Sequence, residues 1–180
     1  MKSAIFASAM LAAVAGLALA PAPALAKDTA KTAQVKPATA MSAEKFATTV
    51  SAANEFEIET SKLALDKAQD GAVKSFAQRM VDDHTAAGKK MMTAAKADGI
   101  TLGTPKLDKK QKQMLAKLKD AGKDTFDKSY VTMQVDAHEE AVALFKAYSG
   151  KKGDLGKFAA ETLPTLEEHE AAIKKIAKSG

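Results

Sequence analysis

Four long stretches of the chain repeat apolar side chains at steps of three and four residues, the spacing of one face of an α-helix. They cover residues 43–69, 72–98, 125–149 and 154–178. A shorter stretch of the same kind, over residues 108–119, lies between the second and the third. Alanine, lysine and leucine dominate while β-branched and aromatic residues are sparse, which favours helices over strands. The pattern therefore predicts an all-α protein.

Short turns join the first stretch to the second and the third to the fourth, so each pair is expected to form an antiparallel hairpin. Helices of about 25 residues are about 38 Å long. Residues 99–124, which join the two hairpins, are numerous enough to run that full length. We therefore predict a ferritin-like antiparallel four-helix bundle with one long crossover connection that contains a short helix. A simple up-down-up-down bundle is the alternative.

Residues that typically begin or end helices flank these stretches. Ser42 and Asp124 are expected N-caps, and Gly99 is expected to end the second helix. Pro164 lies inside the fourth stretch, where its missing amide is expected to loosen the helix near Ala160.

The beginning of the chain has the pattern of a secretory signal peptide over residues 1–26. Lys2 precedes an uncharged apolar run over residues 5–20, and Ala24-Leu25-Ala26 is a small-x-small cleavage signature. The alternative is a membrane anchor, but the run is short for a span and is followed by Pro21. We expect an exported protein of the periplasm or cell envelope, with no transmembrane span after cleavage.

The remaining chain divides by composition. Residues 27–41 contain almost no large apolar side chains and are predicted to be a disordered tether. Residues 42–180 are then the four-helix bundle domain. The chain has no cysteine, which excludes disulfides, thiolate metal sites and a cysteine nucleophile.

The net charge of +5 has a local origin in residues 99–124, here named the lysine-rich connection. It carries Lys106, Lys109, Lys110, Lys112, Lys117, Lys119 and Lys123. In the envelope such a surface can meet anionic components, although a solvated face is the simpler interpretation. Because export separates the protein from DNA and RNA, nucleic acid is not an expected partner.

The three histidines of the chain each fall on the apolar face of a different predicted helix, near its middle. They are His84, His138 and His169. Mid-helix positions share one height in a bundle of matched helices, so the imidazoles are expected to meet in one core layer. On the first helix, Glu57 is the mid-height residue best placed to turn inward.

Three imidazoles and a carboxylate from four helices can bind one transition-metal ion, and zinc, copper or iron suits such ligands. We predict a single-ion site formed by His84, His138, His169 and Glu57. A buried histidine–carboxylate network without metal is the alternative. Met80, one turn before His84, is either a soft ligand for copper or a packing residue.

Catalytic motifs are missing from the sequence. Di-iron bundles need Glu-x-x-His twice, but the residues three before the histidines are Val81, Val135 and Leu166. The sequence also lacks a Gly-rich phosphate loop, a Gly-x-Ser-x-Gly elbow and an HExxH motif. We therefore predict a binding protein rather than an enzyme. The alternative is a structural or stress-related envelope protein that acts through the lysine-rich connection.

Four segments resemble the bacterial family called domain of unknown function 4142, whose members are often labelled outer membrane proteins. They are FEIETSKLALDKA (56–68), VKSFAQRMVDDH (73–84), AVALF (141–145) and KFAAETLPTLEEH (157–169). The resemblance implies a ferritin-like fold in an exported protein without an established catalytic activity. It also implies that His84, His138 and His169 correspond to the family's recurring histidines. Ala137 departs from the aspartate that usually precedes the second of them, and Asp136 lies one residue earlier.

Overall fold

The structure is a computed structural model that describes residues 41–179. This part of the chain forms five α-helices and contains no β-strand, which confirms the predicted all-α class. The helices are α1 (Ala43–Lys67), α2 (Gly71–Ala97), α3 (Lys109–Asp120), α4 (Lys123–Tyr148) and α5 (Asp154–Ser179). The predicted signal peptide, and the predicted tether apart from Met41, lie outside the described residues.

Side chains that accept hydrogen bonds from backbone amides mark the start of three helices. Ser42 Oγ accepts from the amide of Lys45 at 3.2 Å, as predicted, and Asp70 accepts from the amides near the start of α2. Asp108 and Gln111 form a reciprocal capping box at the start of α3. These bonds satisfy amides that have no partner within the helix.

The predicted cap of α4 is wrong. The helix begins at Lys123, after Gly122, without a side-chain cap, and Asp124 lies in the first turn. The chain reaches helical geometry two residues earlier than the polar pattern indicates, and the Asp124 carboxylate in the first turn still interacts favourably with the positive end of the helix dipole. The predicted end of α2 is confirmed, because Gly99 has a left-handed φ of 76°.

Pro164 does not interrupt α5, which runs as one helix from Asp154 to Ser179. The proline removes the amide that would bond the carbonyl of Ala160. Because Ala160 is exposed, solvent can hydrogen-bond that carbonyl, and the helix continues.

Each long helix packs against two of the other long helices: α1 packs against α2 and α4, and α5 packs against α4 and α2. Asp127, near the start of α4, accepts from the amide of Asp70 in the α1–α2 turn at 2.8 Å. Asp98, at the end of α2, accepts from the first two amides of α5 at 2.8 and 2.9 Å. The lysine-rich connection therefore travels between opposite ends of the helical bundle. Helix α3, within it, packs against α1 and α4 through Leu115 and Leu118.

The apolar core has two parts, one towards each end of the bundle. The first part includes Phe46, Val50, Met91, Val142, Phe145, Leu155, Phe158 and Leu166. The second includes Phe56, Val73, Phe76, Met80, Leu118, Phe126, Tyr130 and Ile173. In α2, α4 and α5 the histidine falls between the residues of one part and those of the other. A buried polar layer therefore separates two apolar halves.

None of the helices among residues 41–179 combines the length and the apolar character that a membrane crossing requires.

Candidate metal centre

The helical bundle brings the three histidines together from α2, α4 and α5. One ring nitrogen of each lies within 4.8 Å of those offered by the other two. The ring centroids are 5.9 Å apart for His84 and His138, 5.7 Å for His84 and His169, and 5.5 Å for His138 and His169. The exposed fractions are 8%, 1% and 1% for His84, His138 and His169. We name this group the histidine cluster.

Hydrogen bonds fix the proton on one nitrogen of two rings. His138 donates from Nδ1 to the carbonyl of Gln134, one turn earlier in α4, at 2.9 Å. His169 donates from Nε2 to the Asp83 carboxylate on α2 at 2.8 Å. A carbonyl and a carboxylate can only accept, so the opposite nitrogen of each ring carries a lone pair. Metal-binding histidines are oriented by hydrogen bonds of this kind.

The third ring is held from α1. Nδ1 of His84 lies 3.0 Å from Oδ1 of Asn54, which accepts its proton. Gly88, one turn after His84, makes room for this contact, because a Cβ there would lie 2.9 Å from Nδ2 of Asn54. A glycine inside a helix lowers stability, so its presence at this contact has a steric reason.

The second nitrogen of every ring is buried without a hydrogen-bond partner. These atoms are His84 Nε2, His138 Nε2 and His169 Nδ1. A buried polar atom left in this state costs about 1–3 kcal/mol. Three such atoms from three helices form a set of electron-pair donors inside the core.

Glu57 lies on α1 and is 5% exposed, as its predicted inward position requires. Its Oε2 is buried without a partner. Burial raises the pKa of this carboxyl, while the charge of His138 and a hydrogen bond from Gln134 act in the opposite direction. Among residues 41–179, the potential ligand atoms that lie within 4.8 Å of one another come only from the three histidines. The oxygens of Glu57 are not among them. Glu57 is thus a neighbour of the cluster in this conformation.

Burial also favours neutral imidazoles. It lowers the pKa of His84 from 6.5 to about 3, and the charges of the two neighbouring imidazoles act in the same direction. It lowers the pKa of His169 to about 4, although the hydrogen bond to Asp83 opposes the shift. Both rings are therefore neutral at neutral pH, the form that binds metal.

The family of the chain follows from a model described as "Domain of unknown function (DUF4142)", which matches residues 24–176. The chain belongs to the DUF4142 family. In fold, it is similar to the crystal structure of a DUF305 fragment from Deinococcus radiodurans, with a TM-score of 0.66 and 13% sequence identity. That likeness covers 76% of this chain and 95% of the fragment. No curated protein matches the chain.

Acidic residues that lie near the histidines in sequence differ in whether they contact the histidine cluster. Asp83 accepts a hydrogen bond from His169. Arg79 forms salt bridges with Asp83, at 3.2 Å, and with Glu168, at 2.8 Å. By contrast, Asp136 and Glu139 are exposed, and Glu139 pairs with a lysine of α5. Met80 is fully buried in the second apolar part of the core.

Two groups that orient the rings were not among the sequence candidates, Asn54 and the Gln134 carbonyl. The first has a signal in the sequence, because Asn54 precedes Glu57 by one turn on α1. The second has none, since every residue of a helix has a carbonyl. Chemically, three neutral imidazoles with fixed tautomers can coordinate a single ion, and among residues 41–179 too few carboxylates join them for a di-iron centre.

Proposed function

We propose that this DUF4142 protein binds one transition-metal ion, zinc, copper or iron, through His84, His138 and His169, with Glu57 as the neighbouring carboxylate. One observation carries the proposal. Each imidazole has its proton held by a protein acceptor, while its other nitrogen is buried without a partner. Metal ligation supplies the partner that all three nitrogens lack.

Loading an ion requires a small contraction of the cluster. Nitrogens about 2.0–2.1 Å from a tetrahedral ion lie about 3.3–3.4 Å from one another. The nitrogens of the cluster lie within 4.8 Å of one another, so movements of about 1 Å suffice. Oε2 of Glu57, which has no partner, supplies negative charge beside the ion.

The proposal includes a location and a topology. An exported protein of the periplasm or envelope is supported by the signal-like pattern of residues 1–26. A ferritin-like arrangement with one long crossover is supported by the helix ends that Asp127 and Asp98 join. In that compartment the protein stores, buffers or senses the metal and catalyses no reaction.

The test is metal uptake by the purified full chain after chelator treatment. We expect uptake of one ion per chain in titrations with zinc, copper(II) or iron(II), and a higher melting temperature in the loaded form. His84→Gln should reduce the affinity, while Ser61→Ala should not, because Ser61 is a buried polar control whose hydroxyl bonds Tyr130 and not a ring of the cluster. Equal uptake by the wild type and by a variant with all three histidines replaced by alanine would contradict the proposal.

A second function rests on the lysine-rich connection. Its seven lysines are all exposed, and this surface is suited to anionic envelope components. On this alternative the histidines form a structural network, and the protein is a structural or stress-related envelope protein. Binding to vesicles that contain anionic lipid should then weaken with salt and disappear when Lys109, Lys110 and Lys112 are replaced by glutamate. Retained binding in that variant would exclude this function.

A further inference from the structure

A cavity of about 740 Å³ leads from the histidine cluster towards one end of the bundle and reaches the surface beside the lysine-rich connection. Along α1 its lining extends from Lys45 to Glu57, about 18 Å at 1.5 Å per residue. Most of its buried apolar lining, including Phe145 and Phe158, belongs to the first part of the core, while Phe56 belongs to the second. Its volume is typical of a small-molecule site.

The two ends of this cavity differ chemically. The inner end contains His84, His138 and Glu57, whose unpartnered atoms are buried. Apolar side chains form the walls, and they include Val50, Phe56, Met91, Leu144, Phe145 and Leu166. Lysines lie among the exposed residues of the outer end, next to acidic residues of α4.

We propose that the cavity binds a single-chain carboxylate of the fatty-acid type, with its carboxylate on the metal ion and its chain along the apolar walls. This inference rests on the proposed function, because the ion provides the site for the head group. His169 does not line the cavity, so the ion is approached from the side of His84 and His138. Zinc held by three protein ligands keeps a fourth position open, which the carboxylate can take.

The charge at the proposed metal site determines which head group of the ligand is favoured. Three neutral imidazoles and the Glu57 carboxylate leave one positive charge on a divalent ion. A buried charge is costly unless it is paired, so an anionic head is favoured over a neutral one. Without the ion, an anionic head at the inner end of the cavity would be buried without a paired positive charge. Binding of the carboxylate should therefore depend on the metal.

The chain provides the remaining affinity. Each methylene transferred from water to an apolar environment contributes about 0.8 kcal/mol. Acetate carries the same head group without a chain, and decanol carries a chain of the same length without the charge. Together with decanoate, these probes separate the contribution of the ion from that of the cavity walls.

The experiment uses the full chain in two states, zinc-loaded and metal-free, with zinc titrated alone first. In calorimetric titrations, decanoate should bind the zinc-loaded protein at least tenfold more tightly than the metal-free protein. Acetate should bind at least a hundredfold more weakly than decanoate, and decanol at least tenfold more weakly. Equal affinity of decanoate for the two states, or equal affinities of decanoate and decanol, would overturn the inference.

A pair of neighbouring alanines on α2 gives a matched control. Ala87 lines the cavity, whereas Ala86 is exposed and does not. Ala87→Phe should weaken decanoate at least tenfold and Ala86→Phe should leave it unchanged. A failure to bind zinc, copper(II) and iron(II) overturns the proposed function and the cavity ligand that rests on it, whereas zinc binding without a decanoate response overturns only the cavity ligand. The wild-type comparisons decide the question even if Ala87→Phe does not fold.

Discussion

Gly88 occupies the interior of α2 at the point where Asn54 of α1 reaches His84. A Cβ at this position would lie 2.9 Å from Nδ2 of Asn54, which is closer than real Cβ contacts allow. Gly88→Ala should therefore push the amide of Asn54 away and break its hydrogen bond to His84, which is 3.0 Å long.

Two opposing terms set the magnitude. Alanine is favoured over glycine inside a helix by about 0.8–1.0 kcal/mol. Loss of the hydrogen bond costs about 0.5–1.5 kcal/mol. In the wild-type background the free energy of unfolding should therefore change little. In an Asn54→Ala background, where no side chain obstructs the new Cβ, the same Gly88→Ala substitution should stabilise by about 1 kcal/mol.

The assay is urea unfolding of the metal-free protein, followed by circular dichroism, for the wild type, both single variants and the double variant. The expected coupling of about 1 kcal/mol exceeds the usual departure from additivity at independent sites, about 0.3–0.5 kcal/mol. Metal affinity should fall about 10–100-fold in Gly88→Ala, as expected when a group that orients a ligand is lost. Equal stabilisation by Gly88→Ala in both backgrounds would refute the steric argument.

Three further predictions concern stability. Asp98→Ala should lower the free energy of unfolding by about 1–2 kcal/mol, because Asp98 caps α5. Asp120→Ala, at an exposed position, serves as the control, and equal effects of the two substitutions in urea unfolding would contradict the prediction. Burial lowers the pKa of His84 to about 3 and that of His169 to about 4. Stability that is present above pH 6.5 should therefore be lost as the pH falls, by about 2 kcal/mol per histidine at pH 5. An unchanged urea midpoint of the metal-free protein between pH 7 and pH 5 would refute this prediction. Burial raises the pKa of Glu57, which opposes that loss, so Glu57→Gln should make the loss on acidification steeper, as measured by the same titration.

The helices and the convergence of the histidines were predictable because both depend on periodicity. The spacing of apolar residues at steps of three and four identifies the buried face of a helix, and this assignment depends little on which other residues pack against that face. Since His84, His138 and His169 share the faces of apolar residues, their burial follows from the same spacing that forms the helices. The five helices differ from the predicted bounds by a few residues at most.

The partners of the rings were not predictable, because they depend on rotamers and on the rotation of one helix against another. Asp83 and Asp136 are both acidic neighbours of a histidine in sequence, yet only Asp83 bonds a ring. Asn54 becomes a partner because Gly88 leaves space on the facing helix. A lone sequence contains the two residues but not their distance. The cavity likewise depends on how the helices are spaced, which residue types alone do not determine.

The hydrogen bonds of the histidine cluster favour a metal site over a self-contained polar network. All three rings use their N–H groups on acceptors outside the cluster, so no ring can donate to another. The three remaining nitrogens and Oε2 of Glu57 all lack a partner. An added proton can form a hydrogen bond with only one of the nitrogens, and a water molecule can donate only two hydrogen bonds to these four atoms. A central ion accepts electron pairs from all three nitrogens at once. This stoichiometry, rather than the presence of histidine as such, is why the proposed function centres on one ion.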